Sequence, residues 1–136
     1  MTRKEEKQQL RRTVRAMERE LSPKYKEESS KAICQHLIAM PAYQSANTVF
    51  CFVGMSREID TTLILEDALN SGKRLCVPLC VGDGIMELRH ITALDQLIPG
   101  AYGILEPSPD TPLVATDDVD FAVLPCVSCN HAGQRL

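Results

Sequence analysis

The run Thr48-Val-Phe-Cys-Phe-Val53, followed at once by Gly54-Met-Ser-Arg-Glu58, decides the fold. Its residues are continuously apolar, β-branched or aromatic, as expected of a strand buried on both faces of a parallel sheet. Two more runs of the same kind follow. Arg74-Leu-Cys-Val-Pro-Leu-Cys-Val81 predicts a second strand, and Asp120-Phe-Ala-Val-Leu-Pro125 a further one. Between the first two, Asp60 and Thr61 can cap a short helix over residues 62–71, which Gly72 ends. Asp83-Gly84 forms a turn into Ile85 to Ile91. Pro99 to Pro112 reads as a Pro- and Gly-bearing loop, too long for a mere connector and hence a functional candidate.

Upstream of the strands the period changes. Leu10, Val14, Met17 and Leu21 recur at spacings of four, three and four, a narrow apolar stripe on a helix over residues 3–20. Ser22-Pro23 restarts the helical pattern with a cap and a proline at the first position. Ile33, Leu37 and Met40 form the next stripe, which Pro41 stops. Together these elements predict one α/β domain over residues 1–136: an open, mainly parallel sheet with flanking helices, preceded by two amino-terminal helices.

Composition narrows the partners. The chain has 136 residues and a formal charge of −3, a size that holds a core without staples. Aromatic residues are 4% and Trp is absent, which argues against a stacking platform for nucleic acid. Apolar runs fall well short of the ~20 residues of a membrane span, and the amino terminus is charged rather than a signal peptide. A cytoplasmic monomer is the resulting expectation. Charge is uneven: residues 1–31 carry ten Lys and Arg against six Glu, so the remainder is acidic. A basic helix on an acidic body suits a small anionic ligand, or is simply a solvated face.

Ligands of open α/β sheets bind beyond the carboxyl ends of the strands. The first strand delivers Val53 to Glu58 to that edge, with Gly54 permitting close backbone approach, and the last delivers residues 126–136. Glu58 is placed to accept hydrogen bonds from a ligand's N–H groups; otherwise it caps its own loop or pairs with Arg57. Lys7 and Arg11, four apart on one helix face, can clamp a phosphate. Of the six cysteines, Cys126-Val-Ser-Cys129 with His131 is the one set resembling metal ligands, with Cys76 and Cys80 as further thiols. The apolar spacer of Cys76-Val-Pro-Leu-Cys80 argues against structural zinc. A thioredoxin-type redox pair is disfavoured as well, because that motif should open a helix after a strand.

Several of these stretches, in order and spacing, resemble the 5-formyltetrahydrofolate cyclo-ligase (methenyltetrahydrofolate synthetase) family. They are Lys7-Gln-Gln-Leu-Arg11, Val53-Gly-Met-Ser-Arg-Glu58-Ile-Asp60-Thr61, Gly72-Lys73-Arg74 with Val77-Pro78, Gly103-Ile-Leu-Glu106-Pro107, and Leu124-Pro125 leading to Gly133-Gln-Arg135-Leu136. The resemblance implies ATP-dependent closure of 5-formyltetrahydrofolate to 5,10-methenyltetrahydrofolate, with Mg²⁺ and release of ADP and phosphate. The formyl oxygen is phosphorylated, N10 attacks the activated carbon, and phosphate leaves. It further implies an ATP motif at Lys7, Gln8, Gln9, Leu10 and Arg11, joined by Arg135 and Leu136. Val53 and Glu58 match folate-contacting positions, with Met55 their neighbour in the pocket wall. No residue is assigned to catalysis or to metal binding.

The sequence also departs from the family pattern. Cys126 replaces a small Gly and Asn130 an Asp, within Pro125-Cys-Val-Ser-Cys-Asn130. Family members continue past the Arg-Leu pair into a Gly-rich phosphate loop and a Gly-Tyr-Tyr-Asp segment that helps hold the metal. The expectation for this chain is therefore weak or absent cyclisation, the alternative being an inactive folate-binding or scaffold remnant.

Overall fold

The computed structural model describes residues 1–100 and 103–136. The chain runs α1 (Arg3–Arg19), α2 (Pro23–Ile38), α3 (Pro41–Gln44), β1 (Thr48–Cys51), α4 (Thr62–Asn70), β2 (Arg74–Gly82), β3 (Ile85–Ile91), β4 (Leu97–Pro99), β5 (Leu105–Pro107), β6 (Leu113–Val114) and β7 (Phe121–Val123). The main sheet has the order β6-β3-β2-β1-β7. β1 is parallel to both neighbours, with Val49 opposite Leu75 on one side and Phe121 on the other. The outer half is antiparallel: β2 turns through Asp83-Gly84 into β3, and β6 pairs with β3. Gly84 has φ +68°, which a residue without Cβ adopts freely.

All four residues of β1 are buried, and its two faces meet different layers. Val49 and Cys51 join Leu75, Val77 and Ile91 against Cys34 of α2, Tyr43 of α3 and Ile64, Leu65 and Ala68 of α4. Phe50 points the other way, into a smaller cluster with Cys76 and Val114, flanked by Leu88 and Val119. Cover on both sides explains why the sequence shows no alternation there. Two buried thiols follow from the same packing, burial pushing Cys51 up to about 12 and Cys76 to about 11. The start of β1 is fastened by Asp120, whose Oδ2 accepts from the backbone N–H groups of Asn47 and Thr48, each at 2.9 Å. Those bonds favour the carboxylate and hold its pKa below the usual range.

Three details differ from the sequence reading. The apolar stripe of the second helix is rotated: Cys34, Leu37 and Ile38 face the core, while Ile33 and Met40 are exposed. Pro41 does end that helix, and it also opens the one-turn α3 that buries Tyr43. Residues 101 and 102 of the expected loop 99–112 lie outside the described residues; on either side of them Leu97–Pro99 and Leu105–Pro107 pair as a separate antiparallel ribbon rather than a plain loop. Strands of three residues bounded by prolines carry too short a pattern to be read by period.

α1 is the outlier. It has a complete capping box, Thr2 Oγ1 accepting from Glu5 N and Glu5 Oε2 from Thr2 N, yet none of its residues is buried. Leu10 and Met17 remain 52% and 66% exposed, so the stripe at Leu10, Val14, Met17 and Leu21 is only lightly covered by the body. No helix among the described residues is long and apolar enough to cross a membrane.

Candidate functional site

Because β1, β2 and β7 run parallel, their carboxyl ends open at one edge of the sheet. Phe52 N still donates to Val123 O at 3.2 Å, so the segments leaving β1 and β7 start side by side. The β1–α4 segment is built around a buried hydroxyl. Thr61, 1% exposed, donates from Oγ1 to Phe52 O at 2.8 Å and accepts from Gly54 N at 3.2 Å. A side chain on Gly54 would collide with the Ile59 carbonyl oxygen, so the two arms of the loop can close only on glycine. Helix capping falls to Asp60 instead, its Oδ1 accepting from Thr62 N at 2.9 Å and Thr62 Oγ1 at 2.6 Å, which lowers its pKa. α2 steadies the loop from behind: Asp60 N donates to Ser30 Oγ at 3.0 Å and Cys34 Sγ to Asp60 O at 3.3 Å.

This frame sets Val53, Met55 and Glu58, all half-buried, around one tight turn. Glu58 N donates to Met55 O at 2.9 Å, and Met55 N donates back to Glu58 Oε1 at 3.0 Å. One carboxylate oxygen thus holds the turn. Arg57 is exposed beside it and forms no ion pair with Glu58 among the described residues.

The segment after β7 folds into a small hairpin. Asn130 Oδ1 accepts from Ala132 N and Gln134 N at 3.0 Å each, an Asx-type turn completed by Gly133 at φ +77°. Cys129 then pairs antiparallel with Arg135, Leu136 N donates to Ser128 O at 2.9 Å, and the Arg135 guanidinium reaches Pro125 O at 3.2 Å. This hairpin faces α1. Leu10 and Val14 on the helix and Ser128 to Asn130 and Gln134 to Leu136 on the hairpin line a groove of about 240 Å³.

Of the nucleotide-motif residues, Leu10, Arg135 and Leu136 therefore meet in one groove. Gln8 and Arg11 line a second concavity of about 310 Å³ on α1 itself, with Arg12 and Arg15. Lys7 and Gln9 are exposed on α1 and line neither. Sequence reasoning missed Thr61 and Ser30 as supports of the glycine loop, and Asn130 as the organiser of the hairpin. Asn130-His-Ala-Gly133, an Asx residue three before a glycine, carried the available signal for the last. Among the described residues no three His, Cys, Asp or Glu side chains converge as a metal site. Cys76 lies buried in the sheet, whereas Cys80, Cys126 and Cys129 are exposed.

An open sheet that presents a glycine-carboxylate turn at the carboxyl ends of its parallel strands is an α/β fold of the kind in which ligands commonly bind at that edge. Residues 3–136 match the 5-formyltetrahydrofolate cyclo-ligase family, and the chain belongs to that family. It is 24% identical over 134 residues to a probable 5-formyltetrahydrofolate cyclo-ligase of Schizosaccharomyces pombe, covering 96% of this chain and 66% of that one. To the 5-formyltetrahydrofolate cyclo-ligase of Escherichia coli it is 25% identical over 126 residues, covering 90% and 69%. The fold matches the NMR structure of Aquifex aeolicus 5,10-methenyltetrahydrofolate synthetase with a TM-score of 0.84 and 27% identity, over 95% of this chain and 65% of that one. The chain thus spans about two thirds of the length of these relatives.

Proposed function

We propose that this chain serves the ATP-dependent conversion of 5-formyltetrahydrofolate to 5,10-methenyltetrahydrofolate, with release of ADP and phosphate. Family membership supports the reaction class. The single observation that carries the assignment of sites is the groove in which Leu10 of the basic helix meets Arg135 and Leu136. In this reading the chain divides its work between two segments that leave adjacent strands of the sheet. Val53, Met55 and Glu58 form the folate wall, Glu58 keeping one oxygen on Met55 N–H and offering the other to N–H groups of the pterin. α1 and the terminal hairpin take the nucleotide, with Leu10 and Leu136 supplying apolar contact and Arg11 and Arg135 the charge that phosphates need. Gln8, Gln9 and Lys7 extend that surface along the helix.

Chemically, the groups named here bind and orient. Formyl oxygen attacks the terminal phosphorus, ADP leaves, N10 closes on the activated carbon, and phosphate departs with the former formyl oxygen. Catalysis of such a sequence rests mainly on positioning and charge neutralisation. Mg²⁺ would accompany the nucleotide phosphates; among the described residues no three His, Cys, Asp or Glu side chains converge to hold it.

The test is the growth of methenyl-product absorbance on adding ATP to the protein with 5-formyltetrahydrofolate. ATP-dependent product supports the proposal. Tight folate binding that ATP leaves unchanged, without product, favours a folate-binding or scaffold role instead.

A further inference from the structure

We propose that Cys126 and Cys129 are a modification site: a dithiol that forms an intramolecular disulfide by exchange with a small-molecule disulfide of the glutathione class. The proposal stands on how the hairpin holds the two residues. Both thiols are free and exposed, whereas Cys34, Cys51 and Cys76 are buried. Arg135 fastens the turn at both ends, pairing its backbone with Cys129 and sending its guanidinium to the carbonyl of Pro125, the residue before Cys126. Asn130 closes the hairpin immediately beyond Cys129. Only two residues separate the cysteines along this braced segment, and Cys129 is one of the groups that act on the Cys126 thiol. That thiol is raised first by burial and then by Cys129, with Arg135 opposing, which suits it to the resolving rather than the attacking role.

In the exchange, the Cys129 thiolate attacks one sulfur of the oxidised glutathione, breaking its S–S bond and releasing one glutathione thiolate, which takes up the proton. Cys126, losing its proton, attacks the Cys129 sulfur of the mixed disulfide and expels the second glutathione. Two protein thiols are oxidised and one small disulfide is reduced to two thiols. Because Cys129 lines the groove with Leu10 and Arg135, the bond forms in its wall.

The test titrates the folded full chain with reduced and oxidised glutathione, quenches with acid, and maps disulfides by mass spectrometry. The expected product links Cys126 to Cys129, with the exposed Cys80 left as a thiol or a glutathione adduct. C126S should stop at a stable glutathione adduct on Cys129. The same titration in urea separates the fold from the spacing. If the hairpin preorganises the pair, the equilibrium constant for the disulfide should be about tenfold higher in the folded chain, and R135A should remove most of that difference while circular dichroism shows the fold intact. Stable mixed disulfides on the wild-type pair, a link through Cys80, or equal constants folded and unfolded would each overturn the proposal.

Discussion

The β1–α4 loop and the α1 groove both flank the proposed ligand sites, yet they are built on opposite principles. The loop is welded to the core: Thr61 is buried, Gly54 touches the far arm of its own loop, and Ser30 and Cys34 brace it from α2. α1 buries nothing completely, and its apolar stripe is half in water. The proposed folate wall, assembled in this way, is in place before a ligand arrives, whereas the proposed nucleotide side has little packing of its own and would gain order from what it binds. Substitutions in the first region should therefore cost stability, and those in the second should cost affinity.

Paired leucine truncations give the widest separation. Leu75→Ala, at a fully buried position of β2, should destabilise the chain by about 3 kcal/mol. Leu10→Ala should change stability by no more than about 0.5 kcal/mol, both read by chemical denaturation. Equal losses would mean that α1 is docked far more firmly than its exposure indicates. Next in size is Gly54→Ala, expected to lose about 2 kcal/mol because the new methyl meets backbone that cannot yield. A neutral result would break the account of the loop. Thr61→Val keeps the shape and removes both hydroxyl bonds, leaving Gly54 N and Phe52 O without that partner. A loss of about 1.5 kcal/mol follows, with folate affinity falling alongside stability.

The smallest effect lies on the sheet's second face. Burial, aided by Arg74, holds the His90 imidazole below its usual pKa, so the unfolded chain binds this proton more readily than the folded one. Stability is unaffected by this group above the unfolded value of about 6.5 and is lost as pH falls through it toward the folded value. His90→Gln should make the stability between about pH 7.5 and about pH 5 less steep than in the wild type. An unchanged slope would show that His90 titrates as it does in water.

How much of this was legible in advance depends on whether a signal was local. β1, β2 and the β2–β3 turn announce themselves, since long β-branched runs and Asp-Gly leave few alternatives. The paired ribbon β4–β5 does not, because its partners are three residues each and their pairing depends on tertiary position. The same holds for the site. Glu58 could be picked out because it follows a strand and a glycine, but its role in holding Met55 N–H is visible only in three dimensions. Thr61 looked like a helix cap, and the structure turns its hydroxyl inward while Asp60 caps. Leu10 and Arg135 lie at opposite ends of the chain and no periodicity links them, so only the family resemblance brought them together before the structure showed the groove they share.

The most direct test of the division between the two regions is calorimetric titration of 5-formyltetrahydrofolate and of ATP into the wild type, Glu58→Gln and Arg11→Ala. The amide that Glu58→Gln introduces can still accept from Met55 N–H but no longer offers a second anionic oxygen. Folate affinity should therefore fall about tenfold with ATP binding unchanged, and Arg11→Ala should show the reverse. If both substitutions weaken the same ligand equally, or neither weakens its own, the assignment of a rigid folate wall and an open nucleotide side is wrong.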